Sequence, residues 1–189
     1  MDLPASARVP EPAVVLRPAE VGDAAALLDF FRSVGGESDY LSFGTEGPGL
    51  SLDEERAFIA RSQALDNVFF LVAELEGAIV GCVTFEGGKR KRTRHIGEFG
   101  VSVLSACHGR GIGRALIERL IAWASEGGVV RKIDLRVSTD NAIAIALYQR
   151  LGFVSEGLVT RDLYFDCVFH DALMMGRAID PPVASTGKP

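Results

Sequence analysis

Near the middle of the chain an apolar run ending at Leu104 breaks into His108-Gly-Arg-Gly-Ile-Gly-Arg114, and apolar residues then resume at helical spacing. This strand–turn–helix step constrains the chain more than any other feature. The first turn of a helix leaves N–H groups without intrahelical partners and carries the positive end of the helix dipole. Gly109, Gly111 and Gly113 allow positive φ and a close approach of backbone to a ligand, while Arg110 and Arg114 add charge. Such a turn is suited to phosphate. It is not a P-loop, because no Gly-Lys-Ser/Thr follows. Nor does it fit a dinucleotide fingerprint, which needs an acidic residue at the end of the next strand. The next strand candidate, Lys132–Val137, has only an internal Asp134.

The pattern on either side predicts the rest. Val14–Arg17 reads as a strand, and Ala24–Val34 as a helix with Leu27, Leu28 and Phe31 on one face. Residues 35–49 are polar and Gly-rich, as a loop is. Ser51 and Glu54 have capping-box spacing and open a second helix. Val68–Leu75 and Ala78–Phe85 flank Glu76-Gly77, a hairpin signal, and Thr93–Leu104 is a third long strand. Ile112–Ser125 is a helix ended by Gly127-Gly128, Lys132–Val137 alternates as a half-buried strand, and Asn141–Leu151 is a helix stopped by Gly152. Phe153–Phe165 and Val168–Ala178 close the chain as strands. The helix between Thr93–Leu104 and Lys132–Val137 makes those two strands parallel. The expected fold is α/β (α+β), a mixed but mostly antiparallel sheet of about seven strands flanked by about four helices.

A chain of 189 residues suits one domain. Residues 13–179 are expected to form it, with proline-bearing disordered tails at 1–12 and 180–189. The net charge of −5 gives no reason to expect nucleic acid or an anionic membrane as partner. Lys89-Arg-Lys-Arg92 with Arg94 reads as a solvated hairpin tip, or alternatively as a patch steering an anion. Three cysteines, an odd number with no CxxC, favour reduced thiols and a cytoplasmic protein. Cys167 and His170 stand three apart in a strand-like run and so face opposite ways, which leaves no metal set.

A second motif follows the turn. The run from Asp134 leads to Asn141 at a helix start, Leu147-Tyr148 two turns in, and then Gly152-Phe153. Together with the turn at 108–114, in this order and separation, it resembles the GNAT superfamily of N-acetyltransferases across roughly Val14 to Ile179. The resemblance implies acetyl transfer from acetyl-CoA, a co-substrate, to a primary amine in a ternary complex. It implies that Val101, Ser102 and Val103 lie on the strand whose backbone pairs with the pantetheine arm. It implies that His108, Gly109, Arg110, Gly111, Ile112, Gly113 and Arg114 hold the pyrophosphate, and that Asn141 contacts the arm. His108 departs from the pattern, where Gln or Arg is usual. Tyr148 matches the general acid for the leaving thiolate, and Asn141 also reads as an ordinary N-cap.

The base is read from the residues. Glu98, just upstream of the pairing strand and flanked by Ile96, Phe99 and Val101, is the first candidate, with His95 and Asp171 as fallbacks. A carboxylate beside an apolar cleft would titrate higher than usual. A non-catalytic acyl-CoA sensor on the same fold is the alternative. Acidic and aromatic residues of 35–50 and 158–170 suit a cationic amine without naming it, and a homodimer is an assembly the resemblance brings in.

Overall fold

The computed structural model describes residues 12–179. The expected tails lie outside the described residues, apart from Pro12. Along the chain run β1 (Val14–Pro18), α1 (Ala24–Glu37), α2 (Leu52–Ala64), β2 (Val68–Leu75), β3 (Ala78–Gly87), β4 (Ile96–Val103), α3 (Ile112–Gly127), β5 (Lys132–Ser138), α4 (Ala142–Arg150), β6 (Val154–Phe165) and β7 (Val168–Ala178). They form one seven-stranded sheet in the order β1-β2-β3-β4-β5-β7-β6. Every neighbouring pair is antiparallel except β4 and β5, which are parallel as the intervening helix requires.

Local sequence explains the elements. The Ser51 hydroxyl accepts from the Glu54 N–H while the Glu54 carboxylate accepts from the Ser51 N–H, so the capping box forms as expected. Glu76 and Gly77 both adopt positive φ, 52° and 84°, as a two-residue hairpin requires. Two boundaries differ from expectation by three residues, and others by one or two. β4 begins at Ile96 rather than Thr93, because residues 90–96 coil into successive turns closed by Thr93 N–H to Arg90 C=O and Ile96 N–H to Thr93 C=O. α1 continues through Gly35-Gly36 to Glu37. Gly35 is there for a close approach: a Cβ would sit 2.1 Å from the Gly44 carbonyl oxygen.

The two faces of the sheet are covered unequally. α3 and α4 pack on one face, burying Phe85, Phe99, Leu116, Leu120, Ile133, Leu135 and Phe153. On the other face α1 and α2 pack on β2 and β3, burying Leu27, Phe31, Ile59, Phe70, Val72 and Cys82. Beyond those helices the same face carries Glu98, Gly100 and Arg136, all exposed.

One residue in the smaller core is polar. Glu55 of α2 is fully buried, and neither carboxylate oxygen has a hydrogen-bond partner. Burial pushes its carboxyl up from 4.5 to about 7. The folded protein then holds a proton that the unfolded chain releases near pH 4.5. Stability is therefore greatest below that pH and falls as pH rises through about 7. Relative to Glu55→Gln, the native protein should lose about 3 kcal/mol between pH 4.5 and 8, read by chemical denaturation. Parallel pH profiles for the two proteins would contradict this.

Candidate functional site

β4 and β5 pair over only three positions, Ile96–Lys132, Gly97–Ile133 and Glu98–Asp134. Beyond that rung they separate, although β4 stays paired with β3 to Val103 and β5 with β7 to Ser138. A V-shaped gap opens, closed at Glu98 and Asp134. The direction of the free backbone groups follows from alternation. The Ile96 C=O accepts from Gly88 N–H and the Leu104 N–H donates to Val80 C=O, so even-numbered residues of β4 face β3. Val101 and Val103 therefore turn their N–H and C=O groups into the gap. This strand edge is open to an extended ligand.

The gap leads to the glycine turn. Gly109 and Gly111 have φ of 76° and 77°, and Gly111 is the left-handed N-cap of α3. No side chain caps that helix start, and the first intrahelical bond is Ala115 N–H to Gly111 C=O. The Ile112, Gly113 and Arg114 N–H groups are thus presented at the top of the gap. Gly113 has space, with a Cβ there 3.8 Å from Val103 Cγ2. The His108 imidazole Nε2 lies 2.9 Å from the Val103 C=O, so this ring folds back on the end of β4. Arg110 donates to the Pro12 C=O and Arg114 pairs with Glu118. Asn141 caps α4 by accepting from the Ala144 N–H at 3.1 Å.

Tyr148 and Glu98 lie on opposite sides of β4. Tyr148 packs edge-on against Phe99, 5.9 Å between ring centroids, on the α3–α4 face. Burial pushes its phenol up to about 12. Glu98 precedes Phe99, so it points to the other face, where its side chain is half exposed. Ile96, Leu135 and Met174 stand nearby, but the side chain is open to solvent and its Oε2 lies 3.7 Å from the Arg136 Nε. Glu86, Glu98 and Asp134 form one rung across β3, β4 and β5, and they line an open trough of about 540 Å³ at the closed end of the gap. Lys89 and Arg61 approach Glu86, and Lys132 pairs with Asp134. The rung therefore mixes three carboxylates with surrounding cations.

The fallback bases stand elsewhere. His95 is exposed in the turn before β4, and its carbonyl accepts from the Arg131 and Lys132 N–H groups. Asp171 accepts from the Arg161 N–H at 2.8 Å. Cys82 is a buried thiol pushed up to about 12, which makes it a poor nucleophile. Cys167 stands in the β6–β7 turn, and His170 stacks on Phe165, so the two do not share a site. Among the described residues no three metal-ligating side chains cluster. The sequence reading missed Arg136, whereas Asp162 lies in the 158–170 segment read as suited to a cationic amine. Period-two alternation from Asp134 would have found Arg136.

The residues of the turn and of the Asn141–Phe153 motif fall within a match to the Acetyltransferase (GNAT) family model, which covers residues 38–153. The chain belongs to the GNAT acetyltransferase family. A GNAT-family acetyltransferase structure from Streptococcus pneumoniae is 36% identical with a TM-score of 0.85, covering 89% of this chain and 100% of that one. An L-amino acid N-acetyltransferase of Escherichia coli K12 is 35% identical over 107 residues, which are 57% of this chain and 66% of the relative. A spermidine N(1)-acetyltransferase of Vibrio cholerae is 26% identical over 164 residues, 86% of this chain and 91% of the relative. Coverage of the curated relatives is otherwise partial, 48% for an N-alpha-acetyltransferase of Mycobacterium tuberculosis.

The two glycines separate conformation from space. Gly111→Val should cost about 1–2 kcal/mol, because its φ is left-handed, and should also raise the KM for acetyl-CoA roughly tenfold or more. Gly113→Val should raise that KM similarly with a smaller change in melting temperature. Unchanged KM in both variants would remove the turn from the cofactor site.

Proposed function

We propose that this chain transfers the acetyl group of acetyl-CoA to a primary amine, the two substrates meeting in the gap between β4 and β5. The observation that carries the reading is the gap itself. One edge offers the N–H groups of Val101 and Val103, the top offers the free amides of α3, and the two faces offer Tyr148 and Glu98 separately.

Acetyl-CoA supplies a thioester, an acyl group on a thiolate leaving group. In this reading the backbone of Val101 and Val103 aligns the pantetheine arm as an added strand. The N–H groups of Gly109 to Arg114 hold the pyrophosphate, with Asn141 beside the arm. A β4 N–H facing the gap polarises the thioester carbonyl as negative charge builds on its oxygen. Glu98 accepts the proton that the attacking amine must lose, and Tyr148 donates one to the departing sulfur. The proton leaves on one face of the sheet and is supplied on the other, so neither group blocks its partner. Restoring Tyr148 from solvent and releasing the Glu98 proton completes the cycle.

The three cysteines of the described chain are unpaired, which fits a reducing, cytoplasmic setting. Among the described residues no helix is long and apolar enough to cross a membrane. A homodimer belongs to the reading through the edge strand β6, where Val154, Leu158 and Tyr164 are exposed.

Steady-state thiol release with acetyl-CoA and an amine panel tests the proposal. Tyr148→Phe should lower kcat about 100-fold with little change in the KM for acetyl-CoA. With its phenol at about 12, Tyr148 stays protonated through the working range and should impose no falling limb below about pH 11. Binding of CoA without turnover, and no effect of Tyr148→Phe, would instead leave a non-catalytic acyl-CoA-binding module.

A further inference from the structure

β6, the edge strand two places beyond β5, contains an irregularity. Val159 pairs with Ala172 and Leu163 with His170, so Thr160, Arg161 and Asp162 stand opposite Asp171 alone. Arg161 takes φ of 57°, a left-handed conformation that a non-glycine residue adopts only when its surroundings impose it. Its N–H is fixed by the Asp171 carboxylate at 2.8 Å. The bulge aims Asp162 inward. That side chain is only 12% exposed and accepts a 3.0 Å hydrogen bond from Arg136 Nη1. Bulges of this kind recur next to active sites, where they redirect one side chain.

Arg136 therefore donates to Asp162 through Nη1 and faces Glu98 through Nε. It lies two residues past Asp134, at the first step where β5 leaves β4, and on the face that carries Glu98. Its Nε is 3.7 Å from Glu98 Oε2, an ion-pair separation beyond hydrogen-bond length. Among the described residues no hydrogen bond takes its Nη2 donors, and a carboxylate entering there can accept from them. Immediately beside it stands the carboxylate rung of Glu86, Glu98 and Asp134. Cation and anion thus alternate over a short distance at the closed end of the gap.

We propose that Arg136, oriented by Asp162, binds a carboxylate on the acceptor, so that the acceptor is an amino acid or a close amino-carboxylate. This rests on the acetyl-transfer reading above. A plain polyamine carries no anion for Arg136 to bind. In an α-amino acid, ammonium and carboxylate share one carbon, so the first reaches Glu98 while the second reaches Arg136. The closing of the Glu98–Arg136 space by one zwitterion also places the amine at the vertex of the gap. Asp162 acts here as a positioning residue.

The test compares each of the L-amino acids with its α-carboxamide and with the corresponding decarboxylated amine, by thiol release at saturating acetyl-CoA. The best amino acid should exceed its amide by roughly tenfold or more in kcat/KM. Arg136→Gln should collapse that ratio toward one by raising the amino-acid KM. Asp162→Asn should raise the same KM several-fold with kcat little changed, and acetyl-CoA binding by calorimetry checks that each variant is folded. Amides or plain amines that match or outpace the amino acids would overturn the assignment. So would an unchanged ratio in both variants, while acetyl transfer itself stood. No thiol release with any acceptor would overturn the acetyl-transfer reading and this inference with it.

Discussion

The separation of β4 from β5 beyond the Glu98–Asp134 rung is the constraint on which the site depends. A sheet normally saturates its backbone groups through neighbouring strands, and an open interior edge is costly unless something else occupies it. Here both strands stay committed to their outer neighbours, β3 and β7, so the gap cannot close by local adjustment. Two odd-numbered residues of β4, Val101 and Val103, are left facing it. The parallel crossover through α3 then brings a helix N-terminus to the same place. One topological choice therefore creates both a strand edge and an uncapped helix start beside it.

The unequal covering of the sheet assigns the chemistry to sides. α3 and α4 bury the face holding Tyr148, where burial pushes the phenol up to about 12. α1 and α2 stop short of β4 and β5, so Glu98 and Arg136 remain reachable from solvent. The proposed acid is thus enclosed, and the groups proposed to meet a charged acceptor are exposed. The fully buried Glu55 sits outside this division. It is a destabilising group in the smaller core, and its effect is on pH-dependent stability.

Much of this was legible in the chain because the signals were local. The Ser51–Glu54 box, the Asn141 cap, the Glu76-Gly77 turn and the left-handed Gly109 and Gly111 are each set by neighbouring residues, and each forms where its sequence places it. The motif pair then named the family. The environment of Glu98 was not legible, because alternation says that it opposes Phe99 but not which face the helices leave bare. Gly35-Gly36 read as a stop, yet α1 runs through them, since the need for glycine at Gly35 comes from the distant Gly44 carbonyl. Arg136 and Asp162 meet only through a bulge whose register shift depends on Asp171, ten residues from Arg161 along the chain. Such pairings are tertiary, and strand periodicity alone cannot anticipate them.

Backbone amide hydrogen exchange, followed with and without acetyl-CoA, tests the central claim most directly. The account predicts slowed exchange at Val101 and Val103 and in the first turn of α3, at Ile112 to Arg114, with β1 and β2 unchanged. Protection confined to other elements, with the β4 edge and the α3 start exchanging as before, would contradict the gap as the place where acetyl-CoA binds.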